Sequence, residues 1–257
     1  MRTAVHAEWT KLRTVPSTGW ILLAVVALTV GASATASAIV KCPATCGADT
    51  TKLSLTGIML GQAAVAALAV VVVTGEYGTG MIRVSLAAMP RRSALLAAKA
   101  VVVTAVVMAA GTVSVLGSVL AGRLLLPGNG FNKHRGFTAL SVLHEPTLRA
   151  AAGSVLYLIL IGLFTLGLST ALRDSGLATA VVLCVLYVIP LVTDVMLSAA
   201  WRHRLDRWAP VNAGLAIQAT RNIAKLPIGP WPGIGVLGLW TAVALAGGWV
   251  VLRLRDA

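Results

Sequence analysis

The chain has 257 residues, of which 58% are hydrophobic and only 11% are charged. Soluble domains usually carry about 25% charged residues, so this composition argues against a water-soluble enzyme or binding domain. We attribute the formal net charge of +13 in part to contact with anionic lipid headgroups, and we expect no nucleic acid partner.

The N-terminal segment predicts an amphipathic helix on the membrane surface, over residues 2–15. Val5, Trp9 and Leu12 recur at helical spacing on one face. The polar and charged residues that fall largely on the other face are Arg2, His6, Glu8, Lys11 and Arg13. Pro16 should end this helix before the first span. The alternatives are a plain basic flank for the first span and a secretory signal peptide.

Six stretches without acidic or basic residues follow, and each is long enough to cross the roughly 30 Å hydrocarbon core as a helix. Lipid offers the backbone no hydrogen-bond partners, and continuous apolar runs without strand-like alternation favour helices over a barrel. We therefore predict a single-domain, all-α membrane protein with six transmembrane helices. The predicted spans are residues 17–40, 53–74, 98–122, 150–172, 176–197 and 232–252.

The region between helices five and six differs from the other connections. Its first part is charged, whereas residues 208–220 carry no charge, are moderately apolar and are too short to span the bilayer. This pattern predicts a partly re-entrant outer segment.

The most informative polar interruption lies between spans two and three. Its residues of interest are Gly75, Glu76, Tyr77, Gly78, Thr79, Gly80 and Arg83. The glycines permit a sharp bend, and the carboxylate of Glu76 can remain hydrated or accept from Arg83. We interpret this stretch as a docking surface for a soluble partner. The alternative is a solvated loop whose arginines only enforce orientation.

Other candidate residues are polar groups or cysteines near the spans. Cys42 and Cys46 can form a disulfide or remain two free thiols, and they do not complete a tetrahedral metal site, so we expect no metal. Gln62 and Asp194 are candidate polar residues of a transport path, although Asp194 sits at a span end and can simply reach the interface.

Two further sequence patterns concern packing and nucleotide binding. Gly57 and Gly61 form a Gly-xxx-Gly pattern, which permits close helix approach within one subunit or across a dimer. A phosphate-binding P-loop needs Gly-Lys followed by Ser or Thr, and the dipeptide Gly-Lys is absent from the sequence. We therefore predict that the chain is not an enzyme and binds no cofactor itself.

The segment Glu8-Trp9-Thr10-Lys11-Leu12-Arg13 before span one resembles the permease subunit of a type-2 ABC exporter from an actinobacterium. So does the run from Gly75 to Arg83, followed by Pro90-Arg91-Arg92 and Lys99. The resemblance covers essentially the whole chain. The basic stretch 123–149 departs from it, and no role is carried over to that stretch.

The resemblance implies a membrane-spanning permease that couples to a separate ATP-binding subunit through the Gly75–Arg83 loop, with ATP-Mg on that subunit. It also implies a second permease copy or paralogue around the export path. Lysines and arginines divide almost equally between the two sides, so charge alone does not set orientation. The resemblance implies a multi-pass protein of the cell membrane with both termini in the cytoplasm.

Two other classes remain open at this point. One is an ATPase-independent membrane transporter or a membrane assembly protein. The other is a membrane-embedded enzyme that uses Asp194 or the outer histidines, His134 and His144.

Overall fold

The computed structural model describes residues 2–42, 46–78, 92–131, 137, 140, 145–196 and 199–254, with no side-chain description at 77, 78, 92, 194, 196 and 199–203. The described residues form helices and connecting turns, with no β-strand among them. In chain order the α-helices are α1 (Arg2–Thr14), α2 (Pro16–Ile39), α3 (Thr50–Ser54), α4 (Ile58–Gly78), α5 (Arg92–Leu125), α6 (Glu145–Leu172), α7 (Ser175–Leu183), α8 (Ile189–Met196), α9 (Ala199–Trp208), α10 (Pro210–Leu215) and α11 (Pro230–Leu254).

Among the described residues, six helical stretches are long and apolar enough to cross a membrane, which confirms the predicted all-α membrane fold. We call them span one (α2), span two (α4), span three (α5), span four (α6), span five (α7 and α8) and span six (α11). A π-helical turn over Cys184–Val188 joins α7 to α8. Pro190 follows this turn and cannot donate a backbone hydrogen bond, so locally widened helical geometry is expected there.

The helix α1 ends where the sequence predicts. Val15 adopts an extended conformation, and Pro16 occupies the first turn of span one, where its missing N–H costs nothing. The chain therefore turns sharply between α1 and span one, and α1 packs against span three as well as against span one.

The boundaries of spans two and three differ from the prediction. Span two begins at Ile58 rather than at residue 53, because Thr50–Ser54 form the separate helix α3 and a turn follows. Span three is longer than predicted and extends to Leu125.

The first turn of span two lies directly against span one. A Cβ on Gly57 would lie 1.9 Å from the carbonyl oxygen of Thr29, and one on Gly61 would lie 2.0 Å from the hydroxyl of Thr29. The backbone N–H of Gly57 donates to the hydroxyl of Ser33 at 3.0 Å. The Gly-xxx-Gly pattern thus serves packing within one subunit.

Span four lies at the centre of the bundle, where it packs against spans two, three, five and six. Tyr157, Leu158 and Ile161 are completely buried on it. The segment that follows span five includes α10 and the 3-10 turn Ala216–Gln218, which pack between spans four and six. Its Ala213 and Ile217 are completely buried, so this short segment belongs to the core.

The two ends of the bundle carry different connections. We call the end with α1 and the start of span three the cluster end, and the opposite end, with Cys42 and Cys46, the disulfide end. At the disulfide end, the Asp49 carboxylate accepts from the hydroxyl of Thr220 at 2.6 Å and from the backbone N–H of Arg221 at 2.9 Å. These contacts join the first connection to the segment before span six.

Candidate functional site

Four charged side chains meet at the cluster end, and we call them the charge cluster: Glu8, Lys11, Glu76 and Lys99. The ammonium group of Lys99 donates to Glu76 Oε1 at 2.7 Å and to Glu8 Oε2 at 2.8 Å. The ammonium group of Lys11 donates to Glu76 Oε1 at 2.9 Å and to Glu8 Oε1 at 3.0 Å. Two acids and two bases therefore form one charge-balanced network between α1, span two and span three.

Each helix positions its residues through regular helical spacing. Glu8 and Lys11 are three residues apart on α1, so both face the same side. Lys99 lies inside α5, and its ammonium also donates to the carbonyl oxygen of Val72 at 3.1 Å, one turn before Glu76 on span two. A single lysine thus fixes the last turns of span two against α1.

The charge cluster is buried, so each charged group in it needs a partner of opposite charge. Glu8, Glu76 and Lys99 are only 3%, 5% and 4% exposed, whereas Lys11 is on the rim with a half-buried side chain. A buried pair that loses one partner leaves an uncompensated charge, at a cost of about 3–5 kcal/mol. Glu76 Oε2 has no hydrogen-bond partner in the part of the chain that the structure describes.

Lys11 lies on α1, outside the spans, and is the partly exposed member of the cluster. Burial by itself lowers the pKa of Lys11, but hydrogen bonds to Glu76 and Glu8 outweigh it and hold the pKa above its ordinary value of 10.5. Lys11 is therefore positively charged at every pH near neutrality.

The structure changes the interpretation of the predicted loop. Residues from Gly75 to Gly78 continue the helix of span two, so the predicted bend at Gly75 is wrong. The Glu76 carboxylate is buried against two lysines, so the expectation of a hydrated carboxylate is wrong as well. The side chain of Tyr77 and all of Thr79, Gly80 and Arg83 lie outside the described residues.

The predicted polar face of α1 also needs correction. Trp9 and Arg13 are exposed, but Glu8, which the helical pattern assigns to the polar face, is buried against Lys99. The ammonium groups supply the partners that a buried carboxylate needs. Lys99 was predicted only as a basic residue leading into span three. The signal that could have found its role is its position within a long helical run, where a charge needs a partner.

The remaining candidate residues lie away from the cluster. Gln62 is completely buried, and the hydroxyl of Tyr157 donates to its side-chain oxygen, so Gln62 joins spans two and four inside the bundle. Asp194 belongs to α8, but its side chain is outside the described part. His134 and His144 lie outside the described residues. Cys42 and Cys46 form a disulfide.

Within the described ranges, no group of three or more histidine, cysteine, aspartate or glutamate residues could hold a metal ion. The charge cluster itself contains two ammonium groups, which repel a cation. The arrangement is therefore suited to joining three helices rather than to binding a metal, as far as the described residues show.

Fold and site together define an all-α, multi-pass membrane protein in which a surface helix is tied to two spans by buried ion pairs. Comparison with protein-family models finds no match, and a search of curated proteins finds none either.

Proposed function

We propose that the chain is the membrane-spanning permease subunit of an ATP-driven ABC exporter. The observation that carries this proposal is the charge cluster. It joins α1 to spans two and three immediately beside the connection between those spans, residues 79–91. A force applied to that connection acts on three helices held as one unit.

This linkage suits a permease that is driven by a separate protein. Breaking the ion pairs between α1 and the spans leaves charges buried without partners, so the three helices move together rather than slide past each other. The sequence offers no P-loop for nucleotide, so ATP-Mg binds to a partner ATP-binding subunit that docks on residues 75–83. A second permease copy or paralogue completes the export path.

The same proposal assigns an orientation in the cell membrane. Under this proposal α1 and the last turns of span six, which both lie at the cluster end, face the cytoplasm, and so do both termini. The disulfide between Cys42 and Cys46 lies at the opposite end, and disulfides persist in oxidising compartments outside the cytoplasm.

The test is co-purification from membranes in mild detergent, with the tagged chain expressed together with the products of neighbouring genes. Arg83→Ala is the docking variant, and Arg123→Ala, at the opposite end of the bundle, is the matched control. We expect a stoichiometric ATPase subunit with the wild-type chain and with Arg123→Ala, and a weakened complex with Arg83→Ala.

Absence of an ATPase subunit from every sample would contradict the proposal, and so would export driven by a proton gradient alone. Glu76→Ala is a poor docking variant, because it removes a buried member of the charge cluster and disturbs the fold as well. Arg83→Ala separates loss of docking from loss of folding more cleanly, because Arg83 is not a member of the charge cluster.

A further inference from the structure

A recess at the disulfide end has the features of a small-molecule site. It lies between α3, the first turn of span two and residues 206–228, and its volume is about 340 Å³. Small-molecule sites typically measure roughly 300–1,000 Å³. No member of the charge cluster lines this recess, so it is separate from the proposed coupling site.

The lining of the recess includes a buried side chain with an unpaired polar group. Gln218 lines it and is only 3% exposed, yet its side-chain Nε2 has no hydrogen-bond partner among the described residues. A buried amide without a partner is unfavourable. A rotation of the Gln218 amide toward the recess would let an acceptor oxygen of a ligand supply the missing partner.

Of the two charged side chains that line the recess, the acid has a hydrogen-bond partner among the described residues and the base has none. Lys52 is exposed at its rim, and its ammonium forms no ion pair with a described residue. Asp206 also lines the recess, but one of its carboxylate oxygens accepts from the side-chain amide of Asn212 at 2.6 Å. Beside the recess, Arg207 donates to the carbonyl oxygen of Pro227 at 2.8 Å, which adds a further positive charge.

The rest of the wall is largely apolar and includes Met59, Leu226 and Ile228. We propose that this recess binds an anionic amphipathic ligand, with its acidic head between Lys52 and Gln218 and its apolar body against this wall. Binding requires neither the ATPase subunit nor the docking segment, so this inference stands or falls independently of the proposed function.

The probe is N-acetyl-leucyl-leucine, which has one carboxylate and an apolar body. Isothermal titration calorimetry measures its binding to the full chain in phosphatidylcholine nanodiscs. Its neutral amide and the cationic leucyl-leucine amide are the matched probes. We expect the acid to bind about tenfold more tightly than the neutral amide, as charge-assisted hydrogen bonds are roughly twice as strong as neutral ones.

Three variants locate the contacts. Lys52→Gln and Gln218→Leu should each weaken binding of the acid about 3- to 10-fold. Asp206→Asn should strengthen it, because a like charge is removed while the side-chain oxygen remains to accept from Asn212. Arg123→Gln, at the same end but outside the recess, should change nothing. Thermal unfolding of each variant checks that the fold is retained.

Equal binding of the acid and the neutral amide would overturn the proposal. So would tighter binding of the cationic probe, or full binding by a folded Lys52→Gln chain. Nanodiscs that also contain phosphatidylglycerol distinguish the source of the anion. If phosphatidylglycerol weakens binding of the acid to wild type but not to Lys52→Gln, the lipid headgroup competes for the recess and is its ligand. If phosphatidylglycerol leaves binding of the acid unchanged, the ligand is a soluble acid.

Discussion

The cluster end and the disulfide end join distant parts of the chain in different ways. At the cluster end, Lys11 and Lys99 each contact both acids, and Lys99 is the lysine that is fully buried among them. At the disulfide end, a covalent bond, the contacts of Asp49, and a hydrogen bond from Asn129 to the carbonyl oxygen of Ser37 act separately.

This difference shows how the two ends should respond to change. A charge-balanced buried network fails as a unit when one member is lost, because the remaining charges have no water to solvate them. Separate contacts near the surface fail one at a time. The cluster end is therefore suited to transmitting movement as a unit, whereas the disulfide end is suited to holding a fixed shape.

The largest effect is expected for Lys99→Met, which leaves Glu8 and Glu76 with Lys11 as their remaining described partner. Removing one partner of a buried pair costs about 3–5 kcal/mol, so we expect much less folded protein in the membrane. The double variant Glu76→Gln/Lys99→Met keeps one acid and one base and should recover most of the loss. Membrane abundance and thermal unfolding in detergent are measured for both variants. A double variant that is no more stable than Lys99→Met would contradict the view that charge balance stabilises the cluster.

Gly57→Ala should have the next largest effect, although it lies on the disulfide side of span two. Its Cβ would meet the carbonyl oxygen of Thr29 at 1.9 Å, and backbone cannot move aside as a flexible side chain can. We expect a loss of about 1–3 kcal/mol in unfolding free energy. Gly31→Ala is the control, since nothing lies within 4 Å of its Cβ position and alanine favours a helix. Equal destabilisation of the two variants would exclude close packing as the cause.

Asp49→Ala should loosen the disulfide end without unfolding the bundle. Asp49 caps α3 through the backbone N–H of Lys52 and accepts from Thr220 and Arg221. Loss of these bonds should cost about 1–3 kcal/mol. Hydrogen exchange should increase in α3 and around residue 220 while the cluster end stays protected. Increased exchange at Glu76 and Lys99 would show that the two ends are not independent.

The double variant Cys42→Ser/Cys46→Ser should have a smaller effect. The disulfide closes a short loop, since the two cysteines are four residues apart. Loop-closure entropy for so short a loop corresponds to about 2 kcal/mol at most, and the other contacts of this end remain. Thermal unfolding with and without reductant measures it. A loss as large as that of Lys99→Met would refute the view that this end is held by separate contacts.

The smallest effect concerns pH. Because the folded-state pKa of Lys11 is raised, its contribution is fully present below its ordinary pKa of 10.5 and is lost as pH rises through the folded-state value. Stability from this residue should therefore be constant near neutrality and fall only in strong alkali. The difference in unfolding free energy between wild type and Lys11→Met, measured from pH 7 to 11, isolates the contribution of Lys11. A difference that changes between pH 7 and 9 would contradict the assignment.

Much of the fold follows from the sequence because apolar runs and prolines act locally. The six uncharged stretches predict the six spans, and Pro16 predicts the end of α1. The start of span two is different. Gly57 packs against Thr29 of span one, which is a contact that no local pattern specifies, and the helix accordingly begins later than predicted.

The charge cluster shows the same limit more clearly. Glu8, Glu76 and Lys99 come from three separate helices, and their pairing depends on how α1 packs. Helical periodicity places Glu8 on the polar face of α1 but does not indicate whether that face meets water or two lysines. The sequence therefore identified both acids and Lys11 as notable residues and missed Lys99, the buried lysine that pairs with both acids.

The most direct test of the central claim is a double-mutant cycle between Glu8→Gln and Lys99→Met, measured as unfolding free energy of the full chain in nanodiscs. If the charge cluster ties α1 to spans two and three, the two changes should be coupled by about 1.5 kcal/mol or more. Arg13→Gln with Lys99→Met serves as the uncoupled control. Effects of Glu8→Gln and Lys99→Met that add within about 0.5 kcal/mol would show that α1 is not held by this cluster.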